Sequence, residues 1–190
     1  MKHLIGQGHK CIVHFRGDKG VRSADLRHRG YQRALEEAGI AYSEELVIPG
    51  QFTVDSGRER SRAMLAGRSD NLPTAIFCAN DAIAFGSMDV FSSAGLAIPE
   101  DISVAGFDDT LLARITTPRL TTIRQPVREM GQKAVSLLKA KVIADNARHT
   151  SLASSNNTAT PQNTEATGFP SSLFEVELII RGSVGPPRHL

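Results

Sequence analysis

Five side chains, Arg27, Phe52, Asn80, Asp108 and Gln125, fall just past stretches that read as β-strands or at the start of a helix facing one. A guanidinium, an amide and a carboxylate suit a vicinal diol or a polar ring. The guanidinium donates as a fork, the amide donates and accepts, and the carboxylate accepts. An aromatic such as Phe52 can cover the apolar face of a sugar. Charge-assisted hydrogen bonds contribute about 1.5–3 kcal/mol each, so three or four of them support micromolar binding. Bland readings stand beside these. Asn80 also suits a helix N-cap, Arg27 a surface ion pair with Asp25 or a Glu, and Asp108 and Asp109 a turn.

Other chemistries leave no signature. The sequence has no phosphate-cradling GxxxxGK[ST], no HExxH, no GxSxG and no CxxC. The six His residues do not pair at metal-ligand spacing. No enzyme, cofactor or metal site is therefore expected. Cys11 and Cys78 lie far apart in apolar runs and read as buried thiols. A net charge of +2 is too small to point to nucleic acid or a membrane surface. No apolar run reaches the 18 residues of a membrane span, and no signal peptide precedes the first strand. A cytoplasmic protein is the expectation.

The elements that must position those side chains follow from periodicity. Lys2–Gln7 reads as the last turns of a helix closed by Gly8, and Cys11–Phe15 as a buried strand. Ser23 is the expected N-cap of a helix with Leu26, Gly30, Ala34, Leu35 and Ala38 on its inner face and Gly39 at its end. A short strand at Leu46–Ile48 precedes a helix capped by Thr53, with Val54, Gly57, Ser61, Met64 and Leu65 facing inward. Pro73 introduces a strand at Ala75–Cys78, and Asn80 or Asp81 caps a helix ending at Gly95. Ile102–Gly106 is the next strand, delivering Phe107 and Asp108 to a binding rim. Pro126 opens a helix with Val127, Met130, Ala134, Leu137, Leu138 and Val142 along one side. Residues 146–172, mostly Ser, Thr, Asn, Ala and Pro, read as a flexible loop. Phe174–Ile180 regains strand character.

Strand and helix alternate, which argues βαβ units in a doubly wound parallel sheet, an α/β fold. Ligands of such sheets gather past the carboxyl ends of the strands. The helix after Asn80 is apolar on two sides. One side meets the sheet. The other, with Phe85, Met88 and Phe91, needs either a second subunit or another helix of the same chain.

Five stretches then resemble a known family. KHLIGQGHKCIVHFRG, RGYQRALEEAGI, PTAIFCANDAIAFGSM, GLAIPEDISVAGFDD and LTTIRQPVREMGQKAV are similar, in order, to the sensor domain of LacI/GalR-family transcriptional regulators. That resemblance implies a periplasmic-binding-protein-like two-lobe fold, with residues 1–16 and 124–144 in an incomplete first lobe. Residues 17–123 and 173–184 would form the second lobe, and 145–172 a loop. It implies a small-molecule effector, a sugar or sugar phosphate, contacted by Arg27, Asn80 and Asp108 in an interlobe cleft lined by Phe52 and Gln125. Asn80 beside Asp81 is more like the sugar-responsive members than the purine-responsive one. The resemblance further implies a homodimer with Phe85 and Met88 at its surface, and DNA contact only through a helix-turn-helix head outside this chain. A transporter's solute-binding protein and a truncated, non-functional remnant are the alternatives.

Overall fold

β-Branched and small apolar residues at Ile12–Phe15 (β1), Val47–Ile48 (β2), Ala75–Cys78 (β3) and Ser103–Ala105 (β4) build a four-stranded parallel sheet in the order β2-β1-β3-β4. The structure is a computed structural model that describes residues 1–67, 72–153 and 173–188, with backbone alone over 147–153. Registers such as Phe15↔Ile48, Phe15↔Cys78 and Phe77↔Ala105 bring the carboxyl ends of the strands to one edge. β1 and β3 are buried along their full lengths, as a sheet covered on both faces requires.

Alternation along the strands sorts the core into two layers. Ile12, Ala75, Phe77 and Ala105 pack with Leu4 of α1 (Lys2–Gly6) and with Tyr31 and Leu35 of α2 (Arg22–Glu37). Val13, Phe15, Ile76, Cys78 and Val104 pack with Met64 of α3 (Val54–Gly67) and with Ile83, Met88 and Phe91 of α4 (Asp81–Ser93). This doubly covered parallel layer is the one the alternation of strand and helix predicts. β5 (Thr122–Arg124) pairs antiparallel with β6 (Glu177–Ile179) and joins the β4 edge through bridges at Ala105–Thr121 and Asp108–Arg124.

Several local expectations are corrected. Val21, not Ser23, sits at the N-cap of α2, and no side chain caps it. Leu26 is largely exposed, because α2 turns Ala24, Tyr31, Ala34 and Leu35 inward instead. The inner face of α3 includes a buried arginine, Arg60. For Phe85, Met88 and Phe91 the second of the two expected partners is found, another helix of the same chain. Met88 and Phe91 are buried in the chain's own core and Phe85 packs against it, because α3 lies directly on α4.

That contact depends on two glycines. A Cβ on Gly86 would run into the Val54 carbonyl and come within 2.9 Å of the Arg58 amide nitrogen; one on Gly57 would meet Ile83 backbone in the same way. Backbone against backbone cannot repack, so Gly86→Ala should lower unfolding free energy by about 1–3 kcal/mol or more. Gly30, inside α2, has nothing within 4 Å of its absent Cβ. Gly30→Ala should raise stability by roughly 0.5–1 kcal/mol through helix propensity. Urea titrations of both variants check the opposite signs.

The chain divides into two compact units, Met1–Arg124 with Glu177–Leu190, and Gln125–Val176. The sequence reading sets residues 1–16 apart from 17–123. Here they share a unit, because β1 is hydrogen-bonded between β2 and β3. The second unit carries α5 (Val127–Ala153), which continues through residues 146–153 where a loop was expected. The rest of that expected loop, 154–172, lies outside the described residues. Val127, Val135, Leu138 and Ile143 of α5 are exposed.

Candidate functional site

The ends of β3 and β4 and the helix α2 each contribute one piece of a polar cluster. β3 runs out at Cys78, and Asn80 takes the extended conformation of an N-cap. Its Oδ1 accepts from the Ile83 amide at 2.9 Å, and its Nδ2 donates to the Phe52 carbonyl at 3.2 Å. The N-cap reading of Asn80 is thus correct, and the same amide also fixes the Phe52 loop. One Nδ2 hydrogen and one Oδ1 lone pair are left over for other partners.

β4 runs out at Ala105 and turns through Phe107 and Asp108. The Phe107 carbonyl accepts from the Asp81 amide at 2.8 Å, and the Asp108 amide donates to the Ile123 carbonyl at 2.8 Å. Asp108 holds φ at 126° and Asp109 at 53°, values that L residues adopt rarely. Strain of this kind persists where surrounding structure over-determines it, and it clusters at binding sites.

Arg27, in the second turn of α2, reaches across the edge. Its Nη1 donates to the Ala79 carbonyl at 2.6 Å, and its Nη2 lies 3.5 Å from the Asp108 Oδ1, an ion pair longer than a good hydrogen bond. The guanidinium lies 3.9 Å from the centre of the Phe107 ring and 5.9 Å from that of Phe52. Burial pulls the Arg27 pKa down, and the carboxylates of Asp108 and Asp81 oppose that pull. The tip of the Phe52 ring abuts the backbone at Gly17, leaving no room for a side chain there.

Arg27, Phe52, Asn80 and Asp108 are therefore brought together, with Phe107 as the aromatic shelf under the guanidinium. Gln125, the fifth candidate, is the first residue of the second unit and is half-buried. Sequence reasoning missed Asp81 as a hub. Its buried carboxylate accepts from Thr110 backbone and hydroxyl and from Thr122, and its pKa is raised, burial outweighing those hydrogen bonds. It also missed Arg60, which period-3.6 reading places on a face reserved for apolar residues.

The arrangement suits binding. Cys78, the nearest thiol, is buried with its pKa pushed up to about 12, so it supplies no thiolate. Among the described residues no three metal-ligating side chains cluster, and no helix is long and apolar enough to cross a membrane.

Comparison with known proteins agrees with this fold. The periplasmic binding protein-like domain matches residues 1–161. The HTH-type transcriptional regulator DegA of Bacillus subtilis is 39% identical over 130 residues, 68% of this chain and 38% of DegA. The HTH-type transcriptional regulator GalR of Escherichia coli is 41% identical over 145 residues, 76% of this chain and 41% of GalR. The chain thus spans well under half the length of these relatives. Among solved structures, a complex of the transcriptional regulator CelR with cellobiose superposes with a TM-score of 0.78 at 30% identity, covering 96% of this chain and 49% of that one. A dimeric Lac repressor superposes at 0.77 and 28% identity, covering 98% and 59%.

Proposed function

This chain belongs to the LacI/GalR family and carries its periplasmic binding protein-like domain, and from that premise we propose that it is the effector sensor of a sugar-responsive transcriptional regulator. The observation that carries the reading is the convergence of Arg27, Asn80 and Asp108 beside Phe52 on one sheet edge. A vicinal diol would take donors from Arg27 and Asn80 and give its hydrogens to Asp108, while its C–H face stacks on Phe52. Cellobiose bound to CelR is the kind of neutral sugar this edge suits. Gln125 is proposed as a further ligand contact. The regulator would be cytoplasmic and dimeric, as the Lac repressor neighbour is a dimer, with Phe85, half-buried on α4, as the better placed of the two expected dimer contacts. It would reach DNA through a head outside this chain.

Thermal-shift and calorimetric titration with neutral mono- and disaccharides, sugar phosphates and nucleobases tests the proposal. At least one sugar should raise Tm, and Arg27→Ala or Asp108→Asn should weaken its binding by roughly 30-fold or more, the effect of breaking a partly buried charge pair. If no sugar or sugar phosphate moves Tm, the reading is wrong.

A further inference from the structure

We infer that Arg60 is a positioning residue for this binding edge, holding the Phe52 loop against the ends of β1 and β2; the inference builds on the sugar-sensor reading. Arg60 sits on α3 with only 6% of its surface exposed. Its Nη1 donates to the carbonyls of Arg16 at 2.7 Å and Ile48 at 3.1 Å, and its Nη2 to that of Gln51 at 3.2 Å. Its Nε donates to Ser56 of its own helix at 3.0 Å. The guanidinium also rests 5.0 Å from the centre of the Phe15 ring.

Those acceptors are what make the residue informative. Arg16 follows β1, Ile48 ends β2, and Gln51 immediately precedes Phe52. One rigid fork therefore ties the end of β1 to the end of β2 and the loop that follows it, at the edge where the candidate site lies. The loop wraps closely round it: a Cβ on Gly50 would lie 3.0 Å from the Arg60 Cζ, and the Gln51 amide donates to the Ser56 hydroxyl at 3.1 Å. The chain leaving Arg16 then presents Gly17 to the Phe52 ring.

A buried cation whose hydrogen bonds all go to carbonyls among the described residues is costly to keep, and burial pulls its pKa down against the opposing pull of Asp18 and Glu59. An apolar residue would fill the space more cheaply, but it would leave the Arg16 and Gln51 carbonyls without this donor. Lysine has three donors on a point charge and cannot reproduce a planar fork serving several carbonyls. Preorganising an aromatic wall lowers the ordering cost of binding, which is what the arrangement accomplishes.

The experiment uses the absence of tryptophan from the sequence. Phe52→Trp places a single tryptophan on the loop, and its emission, excited at the red edge where Tyr31 and Tyr42 do not absorb, is compared with and without Arg60→Gln or Arg60→Lys. Both second substitutions should red-shift the emission and strengthen acrylamide quenching. In the Phe52 background, Arg60→Gln should weaken sugar binding roughly tenfold. In a Phe52→Ala background it should weaken it no further, because the two effects share one route. Unchanged emission and quenching in the variants that fold would overturn the inference, as would equal affinity losses in both backgrounds. If the wild type binds no sugar, the sensor reading fails alone, and the fluorescence still decides the role of Arg60.

Discussion

Replacing Asp109 by Ala or Asn should remove about 3–5 kcal/mol of folding free energy, the expected consequence of stranding buried charge. The Asp109 side chain is fully enclosed. Its Oδ2 accepts from Arg124 Nε at 2.7 Å and Arg114 Nη2 at 3.1 Å, and its Oδ1 accepts from Arg181 Nη2. Arg181 also donates to the Leu120 carbonyl at 2.7 Å, and Arg124 to Glu177 at 3.0 Å. One carboxylate thus joins the turn after β4 to β5 and to the segment after β6. Without it Arg181, only 12% exposed, keeps its charge and loses its partner. Against a typical total of about 5–15 kcal/mol the loss is large, and the urea midpoint should fall by roughly 2 M. Arg114 is half-exposed, so Arg114→Ala should cost only about 0–1 kcal/mol. Burial alone would raise the Asp109 pKa, but hydrogen bonds from Arg181 and Arg124 hold it below its ordinary value. Its contribution is therefore in place above the ordinary carboxylate range and fades as pH falls through the lower folded value. A loss under about 1 kcal/mol in either variant would show that the arginines find other partners.

The second large effect is acid sensitivity from His14. This ring is fully buried in the sheet, its Nδ1 donates to the Phe77 carbonyl at 3.0 Å, and its Nε2 has no hydrogen-bond partner among the described residues. It stacks with Tyr31, Phe77 and His28 at centroid distances of 5.0, 4.9 and 5.7 Å. Burial, with His28, Arg16 and Arg60 adding to it, pushes its pKa from 6.5 down to about 3. The unfolded chain takes up a proton near pH 6.5 that the folded chain refuses until about pH 3. Stability from this ring is complete above the unfolded pKa. It is lost across that window at up to about 1.4 kcal/mol per pH unit. Asp81, with its raised pKa, works in the opposite direction. The comparison that isolates the ring is therefore between the wild type and His14→Phe. The variant should lose a pH-independent increment of about 1 kcal/mol for the hydrogen bond, and its stability should vary less steeply with pH. Identical pH slopes in chemical denaturation would refute the assignment.

Much of this architecture was legible from residue order alone. The strands at Ile12–Phe15 and Ala75–Cys78 announce themselves by β-branching and by Gly and Pro on their flanks, and helix caps at Thr53 and Asn80 satisfy their amides as their types suggest. Arg27, Phe52, Asn80 and Asp108 could be placed because strand ends fix them. Arg60 and Asp81 could not, because a polar residue on an inner helix face reads as an error until its hydrogen-bond partners are known, and those partners, Ser56 aside, are 9 to 44 residues distant. The fate of Phe85 and Met88 also escaped the pattern. Apolar periodicity shows that a face is covered, and only the Gly57–Gly86 approach shows that α3 covers it.

The buried edge of β4 has one more consequence, for the order of events during synthesis. Val104 donates its amide to the Ser183 carbonyl at 2.8 Å and its carbonyl accepts from the Ser183 hydroxyl at 2.6 Å, while Ser183 also accepts from the Thr121 amide at 2.8 Å. His9, near the start of the same unit, reaches the Gly185 carbonyl at 2.9 Å. Thr121 and Ser183 are 62 residues apart, so at about 5–20 residues per second a ribosome needs roughly 3–12 s to make the interval between them. For that time a nascent chain carries a nearly finished sheet with one raw edge, the state in which strands of neighbouring nascent chains pair with each other.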